Sequence, residues 1–232
     1  MPEAGSLFWL LFWPAATIAV YVAARLLNRR FGRWFTAPLL LTPVLILGLT
    51  ALLHADYAEY LRGTHWMVLM LGPATVAFAI PIYEQRATIR RHWPVLLVGV
   101  IAGSTVALVS AWGLASLLGL PDVLGRSLMP RSTTTPFAMN MSGEIGGIPD
   151  LTAMFVVITG ICGAAMGEAM MKWLPLRSSL ARGALFGMGA HGAGVAKAHQ
   201  IGREEGSIAG LVMILAGFVN LLLGPLVAIA LR

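Results

Sequence analysis

The 232-residue chain is 58% apolar and 11% charged, with a mean hydropathy of +0.80, which leaves too little polar surface for a soluble domain of that length. Its apolar runs are interrupted by glycine and proline but show no strand-like alternation, which argues against a β-barrel and for an all-α integral membrane protein. The formal charge of +6 is carried by arginines in short loops between apolar spans, the pattern of cytoplasmic membrane loops and not of a nucleic-acid-binding surface.

In chain order, spans are predicted at 7–24, 38–53, 66–83, 94–118, 151–171, 183–200 and 207–231, all within one membrane domain, 1–232. The first follows an acidic N-terminus, so it reads as a retained span and not a cleaved signal peptide. Between the fourth and fifth lies the least apolar stretch at membrane depth, Arg131 to Pro149. There Thr135 followed by Pro136 predicts an N-cap and a first helical proline, and Gly146 and Gly147 predict the stop. The N-terminus of such a helix favours a nearby anion by roughly 0.3–2 kcal/mol.

Loop charge sets the expected topology. Arg25, Arg29, Arg30 and Arg33, then Arg86, Arg90 and Arg91, then Lys172, Arg177 and Arg182 fall on one side only if 126–149 is a re-entrant hairpin. The expectation is seven spans plus that hairpin, in the cell inner (plasma) membrane, with the N-terminus outside and the C-terminus cytoplasmic. A fully crossing 126–149 would instead give eight spans. About ten residues before the threonine tip and about a dozen after it each cover roughly half of a ~30 Å hydrocarbon core, so the tip belongs near the midplane.

Two spans are expected to be broken. Residues 66–83 carry Gly72-Pro73-Ala74-Thr75, and 183–200 carry Gly187, Gly189, Gly192 and Gly194 around His191. An offset of 117 residues aligns Gly72 with Gly189 and Ala79 with Ala196. Residues 38–118 and 151–231 then read as inverted repeats with paired broken helices, a transporter-like pattern with its site at the midplane.

Each polar candidate has a plainer reading beside it. His191 is a satisfied core histidine or a substrate donor and proton carrier; its place among four glycines at a break favours function. No second His or Cys stands at ligand spacing, so no metal and no cofactor are expected. Thr133, Thr134 and Thr135 are a cap, an anion site or both. Asn140 and Glu144 share one face of the short helix, and Glu144 must be paired, protonated or near the outer surface. Arg131 attracts an anion or anchors the hairpin. Lys197 neutralises substrate or snorkels, the latter preferred, and Glu168 reads as the partner of Lys172. Cys162 reads as a small buried hydrophobe, and the twelve methionines as core filler.

Thr134-Thr135-Pro136-Phe137-Ala138-Met139, Ile145-Gly146-Gly147-Ile148-Pro149, Leu71-Gly72-Pro73-Ala74-Thr75 and Ala190-His191-Gly192-Ala193-Gly194 with Ala196-Lys197-Ala198 resemble the motifs of the LrgB/CidB family. The resemblance covers the chain from about residue 34. It implies either transport of small carboxylates, as in the plastidal glycolate/glycerate translocator, or an antiholin-like role in controlling murein hydrolases with a small LrgA/CidA-type membrane partner. Asn140 departs from the acidic residue often found there, which bears on any proton coupling. Substrate contacts are expected at Thr134, Thr135, Pro136, Asn140, His191, Gly192, Pro73, Ala74 and Thr75, with His191, Glu144, Arg131 and Lys197 as coupling or charge candidates. The first reading is a monocarboxylate carrier of elevator or rocking type, working as a homodimer in the lipid bilayer; the second is a non-transporting regulator of lysis. No nucleophile and base share a face, so an enzyme is not expected.

Overall fold

A computed structural model describes residues 4–32 and 36–231, with side chains described from Phe8 onward. Glu3 of the acidic N-terminus and Arg33 of the first basic loop lie outside the described residues. All regular structure among the described residues is helical, with five helical stretches long and apolar enough to cross a membrane: Phe8–Phe31, Tyr57–Glu84, Arg86–Leu117, Pro149–Trp173 and Arg203–Ala230. The chain divides into two compact units, Met1–Ala74 and Thr75–Arg232.

The first unit packs α1 (Ala4–Phe31) against α2 (Pro38–Leu52) and α3 (Tyr57–Leu69). Its anchor is Trp13, fully buried, with the Tyr60 ring edge-on at 5.5 Å and Gly63 leaving room for its Cβ. This explains why the third span begins at Tyr57 and not at residue 66. Glu59 and Arg62 read as loop in sequence, but the Trp13–Tyr60 contact holds that turn in a helix.

The span continues through α4 (Leu71–Ala77) and α5 (Ala79–Glu84), interrupted at Met70 and Phe78 and not at Gly72-Pro73. Both interrupting residues keep right-handed helical dihedrals, so the path bends without reversing. Then α6 (Arg86–Leu117) follows, with a non-helical His92 two residues before Pro94, where the sequence starts its fourth span.

The remainder alternates hairpins with long helices. The first hairpin consists of α7 (Asp122–Leu128), a 3-10 turn (Met129–Ser132) and α8 (Thr135–Glu144). After it runs α9 (Pro149–Trp173), then α10 (Ser179–Ile201) and α11 (Arg203–Ala230).

The expected crossing at 183–200 is corrected by the structure: α10 is a second hairpin, so 183–200 drops out of the seven expected spans, and the cytoplasmic C-terminus that counted on it no longer follows. A straight helix would hold Gly194 about 12 Å from Phe186. Here a methyl group on Gly194 would run into the Phe186 carbonyl, and Phe186 shares a core cluster with Ala198. The reversal happens at one residue, His191, with φ +38° and ψ −120°. Its first arm runs antiparallel to α9, because Gly160, Gly163 and Gly167 meet Ala190, Gly189 and Phe186 in turn.

The contacts of each hairpin fix its level. At the first, Ser127 and Ser142 both lie by Thr152 at the start of α9, and Arg126 donates to the carbonyls of Ile145 (3.1 Å) and Leu231 (3.2 Å), the ends of α8 and α11. The second has its base at the other end of α9, where α11 begins. From opposite ends, the two tips reach the middle of the long helices. Gly160 stands beside the His191 tip on α9, and Gly217 receives the ring of Phe137, just beyond the first tip, midway along α11.

Candidate functional site

The first tip is built by its prolines and threonines. Pro130 sits in the 3-10 turn, Thr133 and Thr134 are extended, and α8 starts at Thr135 with Pro136 in its first turn. The N-cap is therefore Thr134 and not Thr135, since a proline is tolerated anywhere among the first amides that lack an intrahelical acceptor. No side-chain hydrogen bond closes this cap, so the first-turn N–H groups stay available to another acceptor. The far end closes as the sequence predicts: Gly146 takes φ +79°, Gly147 N donates to Ser142 O at 2.8 Å and Gly146 N to Gly143 O at 3.4 Å, a Schellman arrangement.

The hairpin is clamped to α9 by hydroxyls. Thr152 Oγ1 lies 2.7 Å from Ser142 Oγ, 2.9 Å from Ser127 O and 3.1 Å from Ile148 O, while Ile148 N donates to Ser127 Oγ at 2.8 Å. Phe137 is buried between the rings of Phe78 (6.1 Å) and Phe218 (5.3 Å), and only a glycine at 217 admits it. These anchors hold the tip at a set height.

At the second tip His191 is 3% exposed. Positive φ at a side chain with a branched ring is strained by on the order of 1–3 kcal/mol and persists only where the surroundings impose it. Gly160 and Gly163 let the tip approach α9, and a methyl group at Gly160 would lie 3.5 Å from His191 Cε1. The imidazole lies against the backbone of Arg131 on the first tip. Its Nε2 has no hydrogen-bond partner. Thr133 Oγ1, 2% exposed and two residues beyond Arg131, is likewise buried without a partner. Two unpaired buried polar atoms at the meeting of two hairpin tips are costly unless something binds them.

The arms that leave the tips, Thr135–Glu144 and 192–201, are both helical, so two positive dipole ends face this junction. Chemically it offers helix N-termini to a negative group, and a hydroxyl and an imidazole nitrogen to a small polar one.

The other sequence candidates fall into groups. Arg131 and His191 are brought together through the Arg131 backbone; Thr134, Thr135 and Pro136 form the adjoining cap, half-buried. Gly192, next to His191, is exposed. Asn140 and Glu144 do share a face, and it is exposed, with the Glu144 carboxylate against Gly224 of α11. Lys197 does not snorkel freely: its Nζ lies 2.9 Å from Glu168 Oε2. Glu168 thus pairs across to the second hairpin and not with Lys172 one turn on, because the folded-back arm brings residue 197 alongside α9. Cys162 is exposed and not buried, since the buried stripe of α9 runs through Thr152, Val156, Gly160 and Gly167 on the other side. On α4, Pro73 and Ala74 are exposed within the first unit, and Thr75 is half-buried at the start of the second.

Sequence reasoning passed over Phe137, Ser127, Ser142 and Thr152 and treated Thr133 only as part of a cap. The signal that could have found them is the pairing of Gly160 and Gly167 with Gly217 and Gly224: one glycine face on each long helix, each facing a hairpin.

The profile of the LrgB-like family matches residues 17–229. Among curated proteins, the chain is similar to three from Bacillus subtilis (strain 168). Uncharacterized protein YwbG is 40% identical over 90% of this chain and 93% of its own length. Uncharacterized protein YxaC is 36% identical over 91% and 92%. Antiholin-like protein LrgB is 30% identical over 86% and 87%. No solved structure matches.

Proposed function

The chain belongs to the LrgB-like family, and from that premise we propose that it is a secondary transporter of small monocarboxylates, glycolate, glycerate or pyruvate among them. The observation that carries this reading is the junction of the two hairpin tips, where His191 Nε2 and Thr133 Oγ1 are buried and unpaired midway along α9 and α11. A structural plug would satisfy those atoms; a carrier leaves them for its cargo.

The reading includes an inverted repeat, drawn at 122–173 and 179–230 in place of the 38–118 and 151–231 expected from the sequence. Ser179 follows Asp122 by 57 residues, and Ala230 follows Trp173 by the same 57, which supports a hairpin plus long helix recurring at a fixed offset. Irregular backbone at mid-depth inside such repeats is the arrangement in which half-helix N-termini hold an anionic substrate. Substrate carboxylate would be taken by the first-turn amides at Thr134 and Thr135, and a 2-hydroxyl by Thr133 and His191. Elevator-type movement carries the two hairpins, with the scaffold completed by a second copy in a homodimer. Exposed aromatic and leucine side chains on α1, such as Phe8 and Leu11, support a contact with that second copy. The protein then sits in the plasma membrane with its basic loops inside.

A second reading rests on one observation, the 30% identity to a relative named antiholin-like: a regulator of murein hydrolases that acts with an LrgA/CidA-type partner and transports nothing. Uptake of labelled glycolate by purified protein in liposomes, with and without a pH gradient, separates the two. The carrier reading expects saturable uptake, competition by glycolate about tenfold stronger than by acetate, and weak competition by uncharged glycolamide. Equal competition by glycolate and glycolamide, or no uptake, favours the regulator.

A further inference from the structure

A groove of about 780 Å³ lies between α4–α6 and α11, its deep end at Phe218, the ring that packs on Phe137 of the first hairpin. Its walls are apolar: Val76, Ala79, Ile82 and Ile89 on one side and Phe218 of α11 on the other. Ala79, Ile82, Tyr83, Arg86 and Arg90 line it across the α5–α6 junction at Gln85, so this wall runs from apolar to basic along its length.

The basic end has a fixed level. Gln85 and Thr88 share a small cleft with Arg203, Glu204 and Ser207 at the start of α11. Phe218 lies fifteen residues into that helix, about 22 Å deeper. The groove therefore begins at a membrane edge with two arginines and descends along apolar walls. The Arg86 guanidinium is held 4.3 Å above the Tyr83 ring and donates to Tyr83 O at 2.9 Å, which fixes the fork in place and leaves donors over. Neither Arg86 nor Arg90 has an acidic partner among the described residues.

We propose that this groove binds one anionic phospholipid of the bilayer, with its phosphate on Arg86 and Arg90 and an acyl chain along Val76, Ala79 and Phe218. The charge, the depth gradient and the apolar walls each match one part of such a molecule. A zwitterionic lipid fills the walls equally well but adds its own cation beside the arginines, so the preference is for net negative charge. A soluble phosphate meets the arginines and leaves the apolar length uncovered. The proposal stands independently of what the hairpin site carries.

Native mass spectrometry of the purified full chain, with phosphatidylglycerol and phosphatidylcholine added in equal amounts, tests it. Wild type should retain phosphatidylglycerol about tenfold over phosphatidylcholine. The double substitution Arg86→Gln/Arg90→Gln should abolish that preference, while Arg25→Gln/Arg29→Gln, which removes the same charge from α1, should keep it. Ala79→Trp fills the groove without touching charge and should lower phosphatidylglycerol occupancy severalfold; it decides the matter alone should the arginine variant fail to fold. Equal retention of both lipids, loss of preference in the α1 control, unchanged occupancy in Ala79→Trp, or displacement by millimolar inorganic phosphate would each overturn the proposal.

Discussion

The two hairpins do the same geometric work with opposite chemistry. The first turns through a proline-rich loop of several residues and is tied down by side chains: Thr152 to Ser127 and Ser142, Arg126 to two helix ends, Phe137 in the Gly217 notch. The second turns on one residue and is held mainly by close glycine contacts, with Phe186 against Gly167 and Lys197 paired to Glu168. Gly183, Gly187 and Gly194 lie against Ile208 and Glu205, Ala209, and Phe186, with a Ser178 N-cap (to Ala181 N, 3.1 Å) at the entry. Hydroxyl and guanidinium bonds fix position. Close glycine packing fixes distance with fewer polar ties, so under the carrier reading the second hairpin is the one that would shift.

That contrast breaks most visibly at the glycines. Gly187→Ala and Gly194→Ala should each cost about 2–4 kcal/mol or prevent folding, because the added methyl meets backbone atoms that have no rotamer to yield. Gly189→Ala and Gly192→Ala, where a methyl meets nothing within 4 Å, should stay within about 1 kcal/mol of wild type. Thermal unfolding of the four variants in one detergent measures this. Four equal losses would mean that helix propensity, and not close approach, dominates.

At the first hairpin the weak point is polar. Thr152→Val keeps the shape but strands Ser142 Oγ, buried at 0% exposure, and should cost about 1–3 kcal/mol. Ser142→Ala in the Val background should recover part of the loss, since it removes the stranded partner. No recovery would show that Ser142 has another acceptor.

Much of this was legible beforehand. Apolar runs gave the long helices, though the starts at Tyr57 and Arg86 lie nine and eight residues before the expected ones, Gly146-Gly147 gave the α8 stop, and the glycines around His191 gave a break where a reversal occurs. What sequence could not distinguish is a bend from a reversal. Gly72-Pro73 and Gly192-Ala-Gly194 look alike as broken helices, yet only the second meets its own earlier turn, and that depends on whether small residues on α9 and α11 leave room. The ion pair of Lys197 with Glu168 was hidden for the same reason, since it exists only once residue 197 has come back along α9. Thr133 looked like its two neighbours until burial set it apart.

A smaller effect tests the strained turn. In an ordinary helix interior, alanine is more stable than glycine by about 1 kcal/mol. At position 191, with φ +38°, the order should invert: His191→Gly should be more stable than His191→Ala by about 1 kcal/mol, and both should lose glycolate uptake. The usual order in unfolding experiments would remove the strain from the argument.

The smallest expected effect is that of the Lys197–Glu168 pair, and it bears directly on whether the second hairpin is tethered or free. The distance is short, 2.9 Å, but the Glu168 side chain is 56% exposed and that of Lys197 29%. Exposed pairs contribute about 0–1 kcal/mol, because water screens the charges and two long side chains must be ordered. A double-mutant cycle with Lys197→Gln and Glu168→Gln should therefore give a coupling below about 1 kcal/mol in detergent, and Lys197→Gln should keep uptake. A coupling above about 2 kcal/mol would place the pair out of reach of water, where a lone charge costs roughly 2.5–3.5 kcal/mol. The second hairpin would then be pinned to α9 as firmly as the first is by Thr152, and Lys197 would return as a charge that substrate binding must release. With weak coupling, movement of the hairpin meets little electrostatic resistance, and the backbone at His191 is left as the element that limits it.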